Sequence, residues 1–196
     1  MDNMKEMLHE SLYFIKKYKV IIISTLLSAV FILCGIKIYT VQQEAKIYGN
    51  SAKQIIEMSQ NIIKYYQTSP NYWGLSTAMV INKNLYAQNM KTKNGKLIGY
   101  FNTPVEVGAD ENGNAVMPTS KNFVIAYNEL TKNQCIGLCS HKFNKSFWLK
   151  VNKIVVKNAQ KTQEFIWGDK EYGLPANPRK LKDLCQNGNN SIVIYF

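Results

Sequence analysis

Hydrophobic and polar positions divide the chain into three regimes. In the first, the sixteen residues from Val20 to Gly35, VIIISTLLSAVFILCG, carry no charge, with Lys16, Lys17 and Lys19 before them and Lys37 after. At about 1.5 Å rise per residue the run to Ile36 spans roughly 25 Å, and Ile38, Tyr39 and the snorkelling stem of Lys37 bring it near the roughly 30 Å of a bilayer core. The pattern predicts a membrane span over residues 20–39. A cleaved secretory signal shares the basic flank and the apolar core. This stretch is longer than such a core, however, and Gly35-Ile36-Lys37 makes a poor cleavage site, so an uncleaved anchor is the expectation. The lysines of the short N-terminal segment keep it on the cytoplasmic side by the positive-inside rule. The chain then reads as a cytoplasmic tail (residues 1–19), a transmembrane segment (20–39) and one exported domain (40–196), long enough to bury its own core.

The second regime has helical period. Val41, Tyr48, Ile55 and Ile62 recur every seven residues, with Ala45, Ala52 and Tyr66 beside them, while Gln42, Gln43, Lys46, Lys53, Gln54, Glu57, Gln60 and Lys64 fall elsewhere. These seven apolar positions form the packing stripe of a helix that leaves the membrane and ends before Ser69-Pro70, where the residue preceding proline avoids the α region. Gly49-Asn50 marks its weakest point, where a bend or fray would cost least. A shorter helical stretch follows from Trp73 to Leu85.

The third regime has the period of strands. Asn94-Gly95 reads as a turn opening the strand Lys96–Tyr100, Pro104–Gly108 as an extended run, Asp110–Asn114 as a polar turn, and Asn122–Tyr127 as the strongest strand in the middle of the chain. Asn133–Cys139 reads as a short helix, Phe147–Val156 as a strand, and Lys180–Gln186 as one or two helical turns. The C-terminal SIVIYF must be pinned into the sheet, because an exposed edge of that composition invites aggregation. The predicted fold class is α+β: a long transmembrane-amphipathic helix packed on an antiparallel β-sheet.

Charge adds a question to this picture. The net charge is +11, about +9 of it beyond residue 40, yet Arg179 is the single arginine. Bidentate reading of phosphates and base edges favours arginine, and its scarcity argues against a dedicated sequence reader. A lysine-rich solvated surface is the plain explanation. The sharper one is anion binding by Lys142, Lys145, Lys150 and Lys153, with Phe143, Phe147 and Trp148 interleaved as stacking platforms for single-stranded nucleic acid. Against it, Phe147, Leu149 and Val151 alternate as the inward face of a strand.

Chemistry is sparse. His9 lies in the N-terminal tail and His141 stands alone, Ser76 lacks the flanks of a nucleophile elbow, and the exported acids show no paired spacing for acid–base work, so no catalytic site and no cofactor are expected. Cys139 and His141, two apart, do not face each other on a helix. The C-x3-C of Cys135 and Cys139 fits zinc poorly with one exported histidine. Cys34 reads as a small apolar residue of the span. In an oxidising compartment Cys185 pairs with either Cys135 or Cys139, and the residues alone leave that choice open.

Taken together, the extended N-terminal helix, the GLST helix leading to Asn89-Met90, the Asn94-Gly95 turn and the strand Asn122–Tyr127 resemble the type IVb pilins of conjugative and virulence systems. Cys135-Ile136-x-Leu138 and a Cys185 ahead of a terminal strand complete the likeness, which covers roughly Val20 to Phe196. It implies a Cys135–Cys185 disulfide, with no counterpart for Cys139. Such pilins carry a leader ending in glycine before the apolar segment and a glutamate shortly after it. Here no glycine precedes Gly35 and no acid lies between Glu10 and Glu44. The resemblance with that departure implies a permanently anchored, pilin-like structural subunit of a type IV pilus, secretion or conjugation machine. Its expected site is the bacterial inner membrane, with the main domain in the periplasm. Its expected partners are the membrane and other subunits, its own copies included. The alternative is an anchored module whose basic face captures DNA or anionic surface polymers.

Overall fold

The computed structural model describes residues 2–143, 147 and 150–196. The chain divides into two units, one ending at Ala45 and the other comprising Lys46–Phe196. Helix α1 runs over Asp2–Tyr65 and contributes to both.

The first unit is the N-terminal part of α1. Its large apolar side chains, among them Ile21, Leu26, Leu27, Phe31, Leu33 and Ile38, are exposed. Its hydroxyls are turned inward: Ser24 and Thr25 both donate to the carbonyl of Ile21, and Ser28 donates to that of Ser24. Such bonds hide hydroxyls from an apolar medium, where an unpaired one is costly. The helix is long and apolar enough to cross a membrane.

The second unit is built on a seven-stranded antiparallel sheet. Its strands are β1 (Lys91–Lys93), β2 (Lys96–Ile98), β3 (Pro104–Gly108), β4 (Val124–Leu130), β5 (Lys153–Lys157), β6 (Thr162–Phe165) and β7 (Asn190–Tyr195), in the order β1-β2-β3-β4-β7-β5-β6. The C-terminal strand therefore fills the centre, pairing with β4 through Ala126 opposite Val193 and with β5 through Val155 opposite Val193. One face of the sheet is lined by Leu97, Val105, Ile125, Tyr127, Ile154, Val156, Ile192 and Ile194, all in the main core. Against that core α1 buries Ser51, Ala52, Gln54, Ile55, Met58, Ser59 and Ile62, positions three and four apart on one helix face. The helix continues through Gly49 and Asn50 without fraying. Neighbours on either side are held, Tyr48 by its hydroxyl on the Asn133 carbonyl (3.0 Å) and Ser51 by full burial.

The opposite face carries a second apolar row, Val124, Ala126, Val155 and Val193, which is buried with Tyr195 packed against it. Long side chains roof it. Lys153 reaches Glu164 at 2.6 Å and lies over the Tyr195 ring, and Lys157 pairs with Glu111. Methylene stems thus cover the small apolar residues while their charges meet solvent.

Three further short helices lie wholly within the described residues of the unit. In α2 (Thr77–Asn82) Ser76 is the N-cap, its hydroxyl accepting from the Met79 N–H. In α3 (Lys132–Cys139) Thr131 and Gln134 form a capping box. In α4 (Pro178–Leu184) Asn177 caps and Pro178 takes the first helical position, where a missing N–H costs nothing. The second helix is shorter than the Trp73–Leu85 reading, and β5 starts at Lys153 rather than Phe147. Strands β1 and β6 have no counterpart in the hydrophobic pattern: Lys-Thr-Lys and Thr-Gln-Glu-Phe are edge strands whose residues are mostly exposed.

Candidate functional site: packing surfaces and the disulfide-bonded region

The seven stripe residues have different fates. Ala52, Ile55 and Ile62 are buried, Tyr48 and Tyr66 are half-buried against the core, and Val41 and Ala45 are exposed. Tyr48 marks the tightest contact. A Cβ on Gly137 of α3 would stand 2.3 Å from its ring, so only glycine lets the two helices approach this closely. Tyr66 begins an aromatic chain through the core: its ring lies 5.4 Å from Tyr72, Tyr72 lies 4.6 Å from Phe123, and Phe123 stacks on Phe196 at 4.9 Å.

Gln54 is the residue that pattern reading misplaced. It is wholly buried, and its Oε1 accepts from the Tyr100 N–H (2.7 Å) and the Tyr127 hydroxyl (3.5 Å). A polar residue amid an apolar stripe looks like solvent-facing surface. Here it serves the backbone of the β2–β3 turn, a partner invisible until the turn is placed over the helix.

Cys135 and Cys185 are bonded, their Cα atoms 6.0 Å apart and their sequence separation 50. The bond ties α3 to the residue that ends α4, just before the turn into β7. Cys139 sits one helical turn beyond Cys135, fully buried and free; burial pushes its thiol well above the ordinary range. Its carbonyl accepts from the Ala176 N–H, fastening the loop that leads into α4.

The lysines proposed for anion binding stand in different settings. Lys142 and Lys150 are exposed, Lys153 is ion-paired with Glu164 and stacked on Tyr195, and Lys145 and Trp148 lie outside the described residues. The interleaved rings are not platforms: Phe143 and Phe147 stack on each other at 4.3 Å and are buried in the core. This corrects the stacking role given to them from spacing, since hydrophobic burial has claimed both rings.

His141 is half-buried beside the Phe143 ring, and desolvation lowers its pKa from the ordinary value. Among the described residues, no three His, Cys, Asp or Glu side chains come together as a metal site. A cleft of about 290 Å³ lies beside α4, with Phe165 and Tyr172 as its apolar part and Lys161, Glu171, Lys180 and Asp183 around it. Lys180 lies 4.2 Å over the Tyr172 ring and 3.6 Å from Glu171, so two of the cleft's four charges pair with each other. Its lining comes from β6 and two later segments, which no local spacing could have assembled.

An apolar leading helix, an antiparallel sheet completed by the C-terminal strand, and a disulfide closing the last third of the chain define a type IV pilin-like α+β subunit. One solved pilin shares this fold. TcpA, a type IV pilin from Vibrio cholerae El Tor biotype, aligns with a TM-score of 0.50 at 14% identity, over 77% of this chain and 99% of that one. The type IV b pilin from Salmonella typhi aligns at 0.47 and 14%, over 78% and 97%. At such identities the likeness is one of fold. The chain belongs to the PilS N-terminal family, whose sequence pattern matches residues 44–195. No curated protein matches the sequence.

Proposed function

We propose that this protein is a structural subunit of a type IV pilus or of a related secretion or conjugation machine. Residues 20–39 hold it in the bacterial inner membrane, the N-terminus stays in the cytoplasm, and residues 40–196 stand in the periplasm. It works by packing against the membrane and against other subunits, its own copies included, and performs no catalysis. The observation that carries this reading is the long run of exposed aliphatic side chains from Ile21 to Val41, which water would not tolerate and which a bilayer or neighbouring helices would cover. Val41 and Ala45 then belong to the packing stripe as its outward part, available to a partner. The family and the fold support the same reading.

The test is the fate of the chain in cells. Shearing surface filaments and measuring the intact mass in the sheared and membrane fractions separates the cases. Full-length protein confined to the membrane supports a permanent anchor within a machine. Shortened protein in the filament fraction means processing and incorporation as a pilin. Full-length protein released in soluble form would overturn the membrane-packing reading altogether.

A second reading is capture of DNA or anionic polymers by Lys142, Lys145, Lys150 and Lys153. The charge of +11 and the exposure of Lys142 and Lys150 favour it. Binding that falls steeply with added salt, and that is lost in a Lys142→Gln/Lys150→Gln variant, would support it.

A further inference from the structure

Three Asn-Gly steps occur in the exported domain, at Asn94-Gly95, Asn112-Gly113 and Asn187-Gly188. Asparagine before glycine is the pair most open to backbone attack on the side-chain amide, because glycine has no Cβ to obstruct it. The fold treats the three very differently.

Asn94 and Gly95 both have positive φ, 52° and 72°, and form the tight turn between paired Lys93 and Lys96. Attack would require this left-handed pair to unwind. The second step is locked by hydrogen bonds: Asn112 N–H donates to Asp110 Oδ1 at 3.0 Å, and Gly113 N–H donates to the Asp110 carbonyl at 3.2 Å. Gly113 is also confined, since a Cβ there would stand 2.6 Å from Thr77 Oγ1.

Asn187-Gly188 has none of these restraints. Both residues are exposed, neither has positive φ, a Cβ on Gly188 would meet open space, and among the described residues no acceptor binds the Gly188 N–H. The ends of the turn are nonetheless fixed. Buried Asn190 accepts from the Gln186 N–H and donates to the carbonyls of Gln186 and Leu130, each at 2.8 Å. The result is an anchored loop with a free tip.

We infer that Asn187 is the site at which the folded protein undergoes spontaneous deamidation. The Gly188 backbone nitrogen, losing its proton, attacks Cγ of Asn187. A new C–N bond forms, the Cγ–NH2 bond breaks, and ammonia leaves, giving a five-membered succinimide. Water then opens the ring at either carbonyl, leaving aspartate or isoaspartate at 187. Each event adds one negative charge to the basic domain, and the isoaspartyl product inserts a main-chain carbon between Cys185 and the central strand β7. The inference is independent of the proposed function.

The test is incubation of the full chain in detergent micelles at mildly alkaline pH, followed by peptide mapping with fragment-ion localisation. A parallel sample is reduced and held in denaturant. In the folded protein, conversion at Asn187 should exceed that at Asn94 and Asn112 several-fold, whereas in the denatured sample the three should convert at similar rates. Gly188→Ala, for which the structure offers room, should suppress conversion at 187 without altering the unfolding midpoint. The inference is overturned if Asn94 or Asn112 keeps pace with Asn187 in the folded protein, or if Gly188→Ala leaves conversion at 187 unchanged.

Discussion

Removing the disulfide tests how the C-terminal third is held. Cys135 and Cys185 are 0% and 1% exposed and separated by 50 residues, so their link closes a long loop containing β5, β6, α4 and the cleft beside it. In the chain-entropy account a loop of that length confers about 4 kcal/mol by restricting the unfolded chain. The Cys135→Ala/Cys185→Ala variant should therefore lose most of that amount, lowering the guanidinium midpoint by about 1 M for a domain of this size. The assay is tryptophan fluorescence and near-ultraviolet circular dichroism of the full chain in detergent, with parent and variant side by side. Cys139 complicates single variants, because it shares the buried face of α3 with Cys135 and could capture Cys185 once Cys135 is gone. Comparing Cys135→Ala with Cys135→Ala/Cys139→Ala isolates that route: equal midpoints mean no re-pairing. A double variant within about 1 kcal/mol of the parent would refute the reasoning, since so long a loop could not then be restricting the unfolded state.

Other outcomes follow from single contacts. Gly137→Ala should cost about 1–3 kcal/mol, because its Cβ would collide with the Tyr48 ring; Tyr48→Leu in the same background should recover part of the loss in a double-mutant cycle. Gln54→Leu should cost about 1–3 kcal/mol by leaving the buried Tyr100 N–H without its acceptor, read as a lower midpoint with the helical signal retained. Cys139 and Tyr127 are both held neutral by burial, above ordinary values of 9.0 and 10.0. The folded state then keeps protons that the unfolded state releases, so stability is full below pH 9 and falls as pH rises through 9 and 10. Cys139→Ala should remove the first part of that fall, and Cys139 should resist alkylation until the domain unfolds.

Much of the architecture is legible in the sequence because it is written in local patterns: sixteen uncharged residues for the apolar part of α1, a seven-residue recurrence for its amphipathic part, short runs of strand-forming residues for β3, β4 and β7. Where a partner lies far along the chain, the patterns fall silent. Gln54 reads as surface because its acceptor role depends on a turn 46 residues away. The edge strands β1 and β6 are fixed by the ladder beside them rather than by burial, so nothing apolar announces them. Phe143 and Phe147 look like binding platforms when seen with their lysine neighbours, yet they are core, and only the stacking on each other and the approach of Phe147 to Phe196 reveal it. The choice between Cys135 and Cys139 could not be made by spacing, because both fall on the buried side of one helix; the likeness to type IVb pilins implied the pair that the structure contains.

The placement of the terminal strand has a consequence for biogenesis. Strands β1 to β4 form one hairpin-connected set and β5 with β6 another, and the two sets touch in the sheet only through β7. The six residues of β7 are thus the ones that join the halves. A chain that lacks β7 presents two open sheet edges, on β4 and on β5, where β7 should lie, a form that proteolysis can recognise. Pairing of β7 and closure of the sheet are one event, so a chain in which β7 is not seated is marked by open edges on both halves.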